Sequence, residues 1–130
     1  RRLAEVGLRL KHVQVEDLPF EDCLRRYDSR GALFLLDPPY LIETRSHSGR
    51  YTHEFAREDH IRLLRIARGL KAKVAICAHR SDLYDEMLQG WRRTDFRRGN
   101  IAGSGAEGRK VSHRVLSVYT NYDPPPRPTA

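Results

Sequence analysis

The chain has 130 residues, 39% hydrophobic and 32% charged, with a formal net charge of +7. That length suits one core and one domain, and the composition excludes a fibrous or wholly disordered chain. No run approaches the about 18 apolar residues of a membrane span, and Arg1-Arg2-Leu3-Ala4-Glu5 is not followed by an apolar signal core, so a cytoplasmic protein is expected.

In chain order, Leu8 to Val15 alternates apolar and polar side chains and predicts a half-buried strand; Pro19 then presets a short helix to about Tyr27. After the turn signal Asp28-Ser29-Arg30-Gly31, the run Ala32-Leu33-Phe34-Leu35-Leu36 predicts a strand buried on both faces, as in parallel sheets. Leu41 to Thr52 is polar and reads as a long loop. From Glu58 to Leu70, Leu63, Ile66, Ala67 and Leu70 recur at helical spacing and mark one buried stripe. Lys73 to Ala78 predicts a second buried strand. Ser81 can cap a helix through Leu83, Tyr84, Met87 and Leu88, stopped at Gly90. Trp91 to Phe96 suits another strand, Gly99 to Gly108 an aperiodic flexible loop, and Val115 to Asn121 a final strand. The tail from Asp123, with four prolines, can continue neither helix nor ladder and is expected to be disordered. Residues 1–122 are thus read as one catalytic domain and 123–130 as its tail. Strands alternating with helices predict an α/β fold with a mostly parallel sheet, closed by an antiparallel final strand.

Cys23 and Cys77 form no CxxC pair and have no clustered histidines beside them, so they read as reduced core thiols, and no metal site is expected. The arginines gather at Arg92-Arg93, Arg97-Arg98 and Arg109-Lys110 with Arg114. A polyanionic partner and a merely solvated basic face both fit that pattern.

The most informative residues are Asp37-Pro38-Pro39-Tyr40, placed where a strand ends and a long loop begins. Ligands of open α/β sheets bind outside the carboxyl ends of the strands. The prolines fix φ, restrict Asp37 before them and remove amide donors, which makes a stiff arm. On that arm the Asp37 carboxylate and the Pro38 carbonyl can accept both hydrogens of an exocyclic amine. Tyr40 adds a π face on which a base can stack. An amine inside a duplex is out of reach, so such a site suits an extruded base.

The run Leu33-Phe34-Leu35-Leu36-Asp37-Pro38-Pro39-Tyr40 resembles the catalytic motif of Dam-like DNA adenine-N6 methyltransferases. The likeness continues through Glu43-Thr44-Arg45, Gly49 to Phe55, Glu58-Asp59-His60 and Leu63-Leu64. It extends to Ser81, Leu83 to Glu86, Leu88, Gly90-Trp91 and Thr120 to Pro125. The resemblance implies a partial Rossmann-like fold and methyl transfer from S-adenosylmethionine to adenine N6 in double-stranded DNA. Asp37, Pro38, Pro39 and Tyr40 are then the catalytic residues, with Asp37 also facing the cofactor, and a monomer is expected. On the loop after the motif, Arg45, His47, Arg50 and His53 are candidates for contacting DNA, as are Arg109 and Lys110 with His113 and Arg114 before the last strand. His60 and His79 read chiefly as structural, although His79 follows a strand at a sheet edge that a ligand can reach.

The likeness also has gaps. Members of the family carry a Gly-rich segment after their first strand that cradles the methionine part of the cofactor, and this sequence contains none in that context. The acid that contacts the cofactor adenine would fall near Pro19, and Asp17 is its substitute. The sequence is therefore expected to begin near the family's third strand, leaving an apolar central strand exposed. Two further functions stay open: methylation of an RNA or protein amine, and a nonenzymatic nucleic-acid-binding remnant.

Overall fold

The computed structural model describes residues 2–44, 55–97 and 115–126, with side chains from Glu5 onward and none at Arg97. The elements are α1 (Arg2–Leu10), α2 (Phe20–Tyr27), β1 (Leu33–Leu36), a single 3₁₀ turn (Ile42–Thr44), α3 (Arg57–Gly69), β2 (Lys73–His79), α4 (Asp82–Met87), β3 (Arg92–Arg97) and β4 (Val115–Thr120). The expected helices and strands from Pro19 onward are present, with ends shifted by a few residues.

The strand expected over Leu8 to Val15 is not formed. Leu8 to Leu10 close α1 and residues 11–19 run irregularly, with Leu8, Val13 and Val15 exposed. Alternation pays off only when a neighbouring strand supplies hydrogen bonds and a surface to pack on. Without one here, the helix formers Leu, Ala, Glu and Arg before it decide the local structure.

The sheet order is β1-β2-β4-β3. β1 pairs with β2 in parallel, Leu36 opposite Ile76, with α3 on the crossover. β4 pairs antiparallel with both β2 and β3. The expectation of a mostly parallel sheet is thus corrected to a mixed one. β4 leaves β3 as a hairpin partner and inserts between β3 and β2, so it runs against both.

Several elements are fastened by identifiable groups. The Asp28 carboxylate after α2 accepts the backbone N–H groups of Lys71 (2.8 Å) and Ala72 (2.9 Å), which sets the start of β2. At the far end of β4, the Asn121 side chain accepts from Val74 N–H (2.8 Å) and donates to the Ala72 carbonyl (3.0 Å). In α3, Asp59 accepts the Ala56 N–H at 2.8 Å, which satisfies one donor at the helix start. Ser81 caps α4 by accepting from Tyr84 N–H, and the turn after Met87 ends at Gly90 with φ of +90°, a conformation that favours glycine.

The core lies on one face of the sheet. Val74, Ile76 and Ala78 of β2 and Tyr119 of β4 meet Leu64 and Ala67 of α3 and Leu83, Tyr84 and Leu88 on and just after α4. His60 is fully buried there, its Nδ1 2.8 Å from the Tyr84 hydroxyl, which suits the structural role expected of it. The opposite face is different: on β1, Leu33 is 62% exposed and Leu35 70%. The expectation that this strand is buried on both faces is therefore corrected, because α3 and α4, the helices that share the core cluster with the sheet among the described residues, pack on the other face.

Candidate active site

β1 ends at Leu36, and Asp37 begins the turn that leaves the sheet. The turn is held from both ends. On one side it continues a strand laddered to β2; on the other, Leu41 is 4% exposed and belongs to the core cluster. Just beyond, the Leu41 carbonyl accepts both the backbone N–H (2.9 Å) and the hydroxyl (2.8 Å) of Thr44, closing the 3₁₀ turn. Arg57 at the start of α3 pairs with Glu43 at 2.7 Å and ties that turn to the helix. Between these anchors Asp37 is exposed, while Pro38, Pro39 and Tyr40 are half-buried.

Because β1 and β2 are parallel, their carboxyl ends lie on the same edge of the sheet, and β2 runs three residues past the Leu36–Ile76 pair to His79. Tyr40 turns back over this edge. Its ring centroid lies 4.1 Å from that of His79, with the planes inclined at 50°. Cys77, on β2 between those two points, is half-buried; burial pushes its thiol pKa up and the neighbouring Asp37 carboxylate raises it further. The site thus joins the end of β1, the end of β2 and the turn after β1. An exposed carboxylate, a carbonyl on a proline-stiffened arm and a half-buried tyrosine ring follow one another along this turn, groups of the kind that accept amine hydrogens and offer an aromatic surface.

The other residues singled out in the sequence are distributed differently. Asp17 is exposed in the irregular segment before α2, where its neighbour Glu16 accepts from the Tyr27 hydroxyl and lies 3.9 Å from Arg26. The Tyr27 bond holds the Glu16 carboxyl below the usual carboxylate range. Arg45, His47, Arg50, His53, Arg109, Lys110, His113 and Arg114 lie outside the described residues, as does the Gly99 to Gly108 loop. His79 carries only a weak signal in the sequence, a polar ring at the carboxyl end of a buried strand, and that signal gains meaning once the strand is known to lie parallel to β1.

Gly7, Gly31, Gly69 and Gly90 each have nothing within 4 Å of where a Cβ would stand, and none of the four lies in a turn that leads from a strand into a helix, where a glycine-rich donor cradle is expected. Among the described residues, no three His, Cys, Asp or Glu side chains are grouped to hold a metal ion, and no helix is long and apolar enough to cross a membrane. A concavity on and just after α4 is lined by Asp82, Asp85, Glu86 and Gln89 and is acidic, and no residue of the Asp37 to Tyr40 turn lines it.

No curated protein matches the chain. The family model of the D12 class N6 adenine-specific DNA methyltransferases matches residues 1–98, which include α1 through β3 and the whole Asp37 turn. β4 lies beyond the matched range, yet it is the strand that joins β2 to β3, so the sheet continues past the match. The match favours adenine in DNA over an RNA or protein amine as the methylated group, and the chain belongs to the D12 class N6 adenine-specific DNA methyltransferase family.

Proposed function

We propose that the turn Asp37-Pro38-Pro39-Tyr40 is the adenine-holding side of a Rossmann-like methyltransferase that modifies N6 in double-stranded DNA, with S-adenosylmethionine as the donor. The observation that carries this reading is the anchored turn at the carboxyl end of β1, with its carboxylate exposed. The Asp37 carboxylate and the Pro38 carbonyl accept the two amine hydrogens. That draws electron density onto nitrogen and leaves its lone pair pointing away from the two acceptors, free to face a bound donor. Tyr40 stacks on the extruded purine, and Pro39 keeps the arm from relaxing. Positioning and electrostatics are the chain's contribution, since both acceptors are set before the base arrives.

Arg45, His47, Arg50, His53, Arg109 and Lys110 contact the DNA backbone in this reading, and Asp17 serves the donor's adenine. The basic balance of +7 supports a phosphate-rich partner.

The test is Asp37→Ala in the full-length protein, measured by methyl incorporation into duplex DNA and, separately, by DNA binding. Loss of one preorganised polar partner of a developing charge costs about 100-fold to 1,000-fold in rate. Methylation is expected to fall by at least that much while duplex binding persists. Wild-type methylation by the variant overturns the role of Asp37.

A further inference from the structure

A tyrosine on a loop stacks well on an incoming base only if its ring is already held in one orientation, because ordering a side chain at the moment of binding weakens the complex. Tyr40 is half-buried on the turn after β1, outside any helix or strand. The ring it meets is on a much firmer support. His79 closes β2, the strand hydrogen-bonded to β1 on one side and to β4 on the other, and it sits opposite Leu116 in the β4 ladder. The next residue is also held, Arg80 N–H donating to the Val115 carbonyl at 3.2 Å. The two rings are 4.1 Å apart between centroids and tilted by 50°, so the imidazole backs the tyrosine from the sheet side.

Resting on the adenine-holding reading above, we propose that His79 is a positioning residue: its ring braces Tyr40 so that the tyrosine is pre-set to stack on the extruded purine. His79 acts through Tyr40 and needs no contact with the reacting atoms. The brace depends on a flat ring at this position, which separates it from a role in proton transfer or in filling space.

The experiment uses the full-length protein and duplex DNA carrying 2-aminopurine at the target adenine, whose fluorescence reports extrusion and restacking. His79→Leu keeps much of the volume without a ring, and His79→Phe keeps a ring without a titrating nitrogen. Aromatic pairs contribute enough that removing one shifts an equilibrium about threefold to tenfold. His79→Leu is expected to weaken the extruded, tyrosine-stacked state by that factor, with His79→Phe restoring it to within about twofold. In a double-mutant cycle, the loss caused by His79→Leu should vanish in a Tyr40→Ala background, because coupled residues are not additive.

Equal impairment in His79→Phe and His79→Leu, or full additivity with Tyr40→Ala, overturns the brace. The adenine-holding reading is judged separately by Asp37→Ala. If that variant loses methylation while the His79 effects are additive, only the brace fails; if it methylates normally, the reading fails and the brace with it.

Discussion

The two faces of the sheet are built to different standards. On the face covered by α3 and α4, Val74, Ile76 and Ser117 are fully buried and Tyr119 is 2% exposed. On the other face, Leu33 and Leu35 of β1 and Phe96 of β3 lie open to solvent, Cys77, His79, Leu116 and Val118 are half-buried, and among the described residues the buried side chains there are the small Ala75 and Thr120. Both faces are rich in apolar residues, so hydrophobicity alone does not distinguish them. The covered face is the one against which the chain's own amphipathic helices return between strands. It also supports the candidate site, since Leu41, which anchors the Asp37 turn, packs into its core.

The strongest way to break this contrast is to cut into the covered face. Leu64→Ala removes a fully buried side chain from the centre of the core and is expected to cost about 2–5 kcal/mol. Urea denaturation measures the loss directly. A cost below about 1 kcal/mol would show a core that collapses around the gap.

The next largest effect concerns Asp85 of α4, which ties that helix to the ends of the covered face. Its carboxylate accepts from the Tyr119 hydroxyl (2.8 Å), Arg93 (2.9 Å) and Arg80 (3.0 Å). Burial works to raise its pKa, but those three bonds together outweigh it and hold the carboxyl below its ordinary value. Burial, and then the Asp85 bond, push the Tyr119 hydroxyl far up. Asp85→Ala leaves Tyr119 without its acceptor and is expected to destabilise the fold by about 1–3 kcal/mol.

The sign of the pH dependence follows from the depressed carboxyl. Its stabilisation is complete above the unfolded value, about 3.9, and is lost as pH falls through the lower folded value. Thermal melts of the wild type are therefore expected to lose stability on acidification below about pH 4, and Asp85→Asn to lose less over the same window.

The smallest effect is expected on the open face. Leu35→Thr changes an exposed residue on a strand and should shift stability by no more than about 0.5 kcal/mol, while reducing self-association seen in sedimentation. The edge of β1 away from β2 carries no strand among the described residues, and unpaired apolar edges invite association. A destabilisation of about 2 kcal/mol or more by Leu35→Thr would sharpen the comparison differently, by showing that this face is covered in solution.

Much of the local structure was legible because its signals are short-range. Helical spacing of Leu63, Ala67 and Leu70 located α3, Ser81 announced its cap, and the apolar runs before Asp37 and before His79 became β1 and β2. The Asp37 turn was equally plain, since an acid and two prolines at a strand end dictate their own backbone. The misreadings share a cause. Leu8 to Val15 has the alternation of a strand but no described partner to pair with, and the sheet was read as mostly parallel because the insertion of β4 between β2 and β3 leaves no mark in the pattern of either strand.

By itself, then, the amino-acid order determined which segments from Pro19 onward become helices and strands, where the stiff acidic turn falls, and which family chemistry that turn resembles. Only the tertiary structure decided which face of the sheet is closed, that β1 and β2 end side by side, and that His79 lies against Tyr40. Those relations join residues some forty positions apart through the packing of whole elements, and no local preference of the backbone carries them.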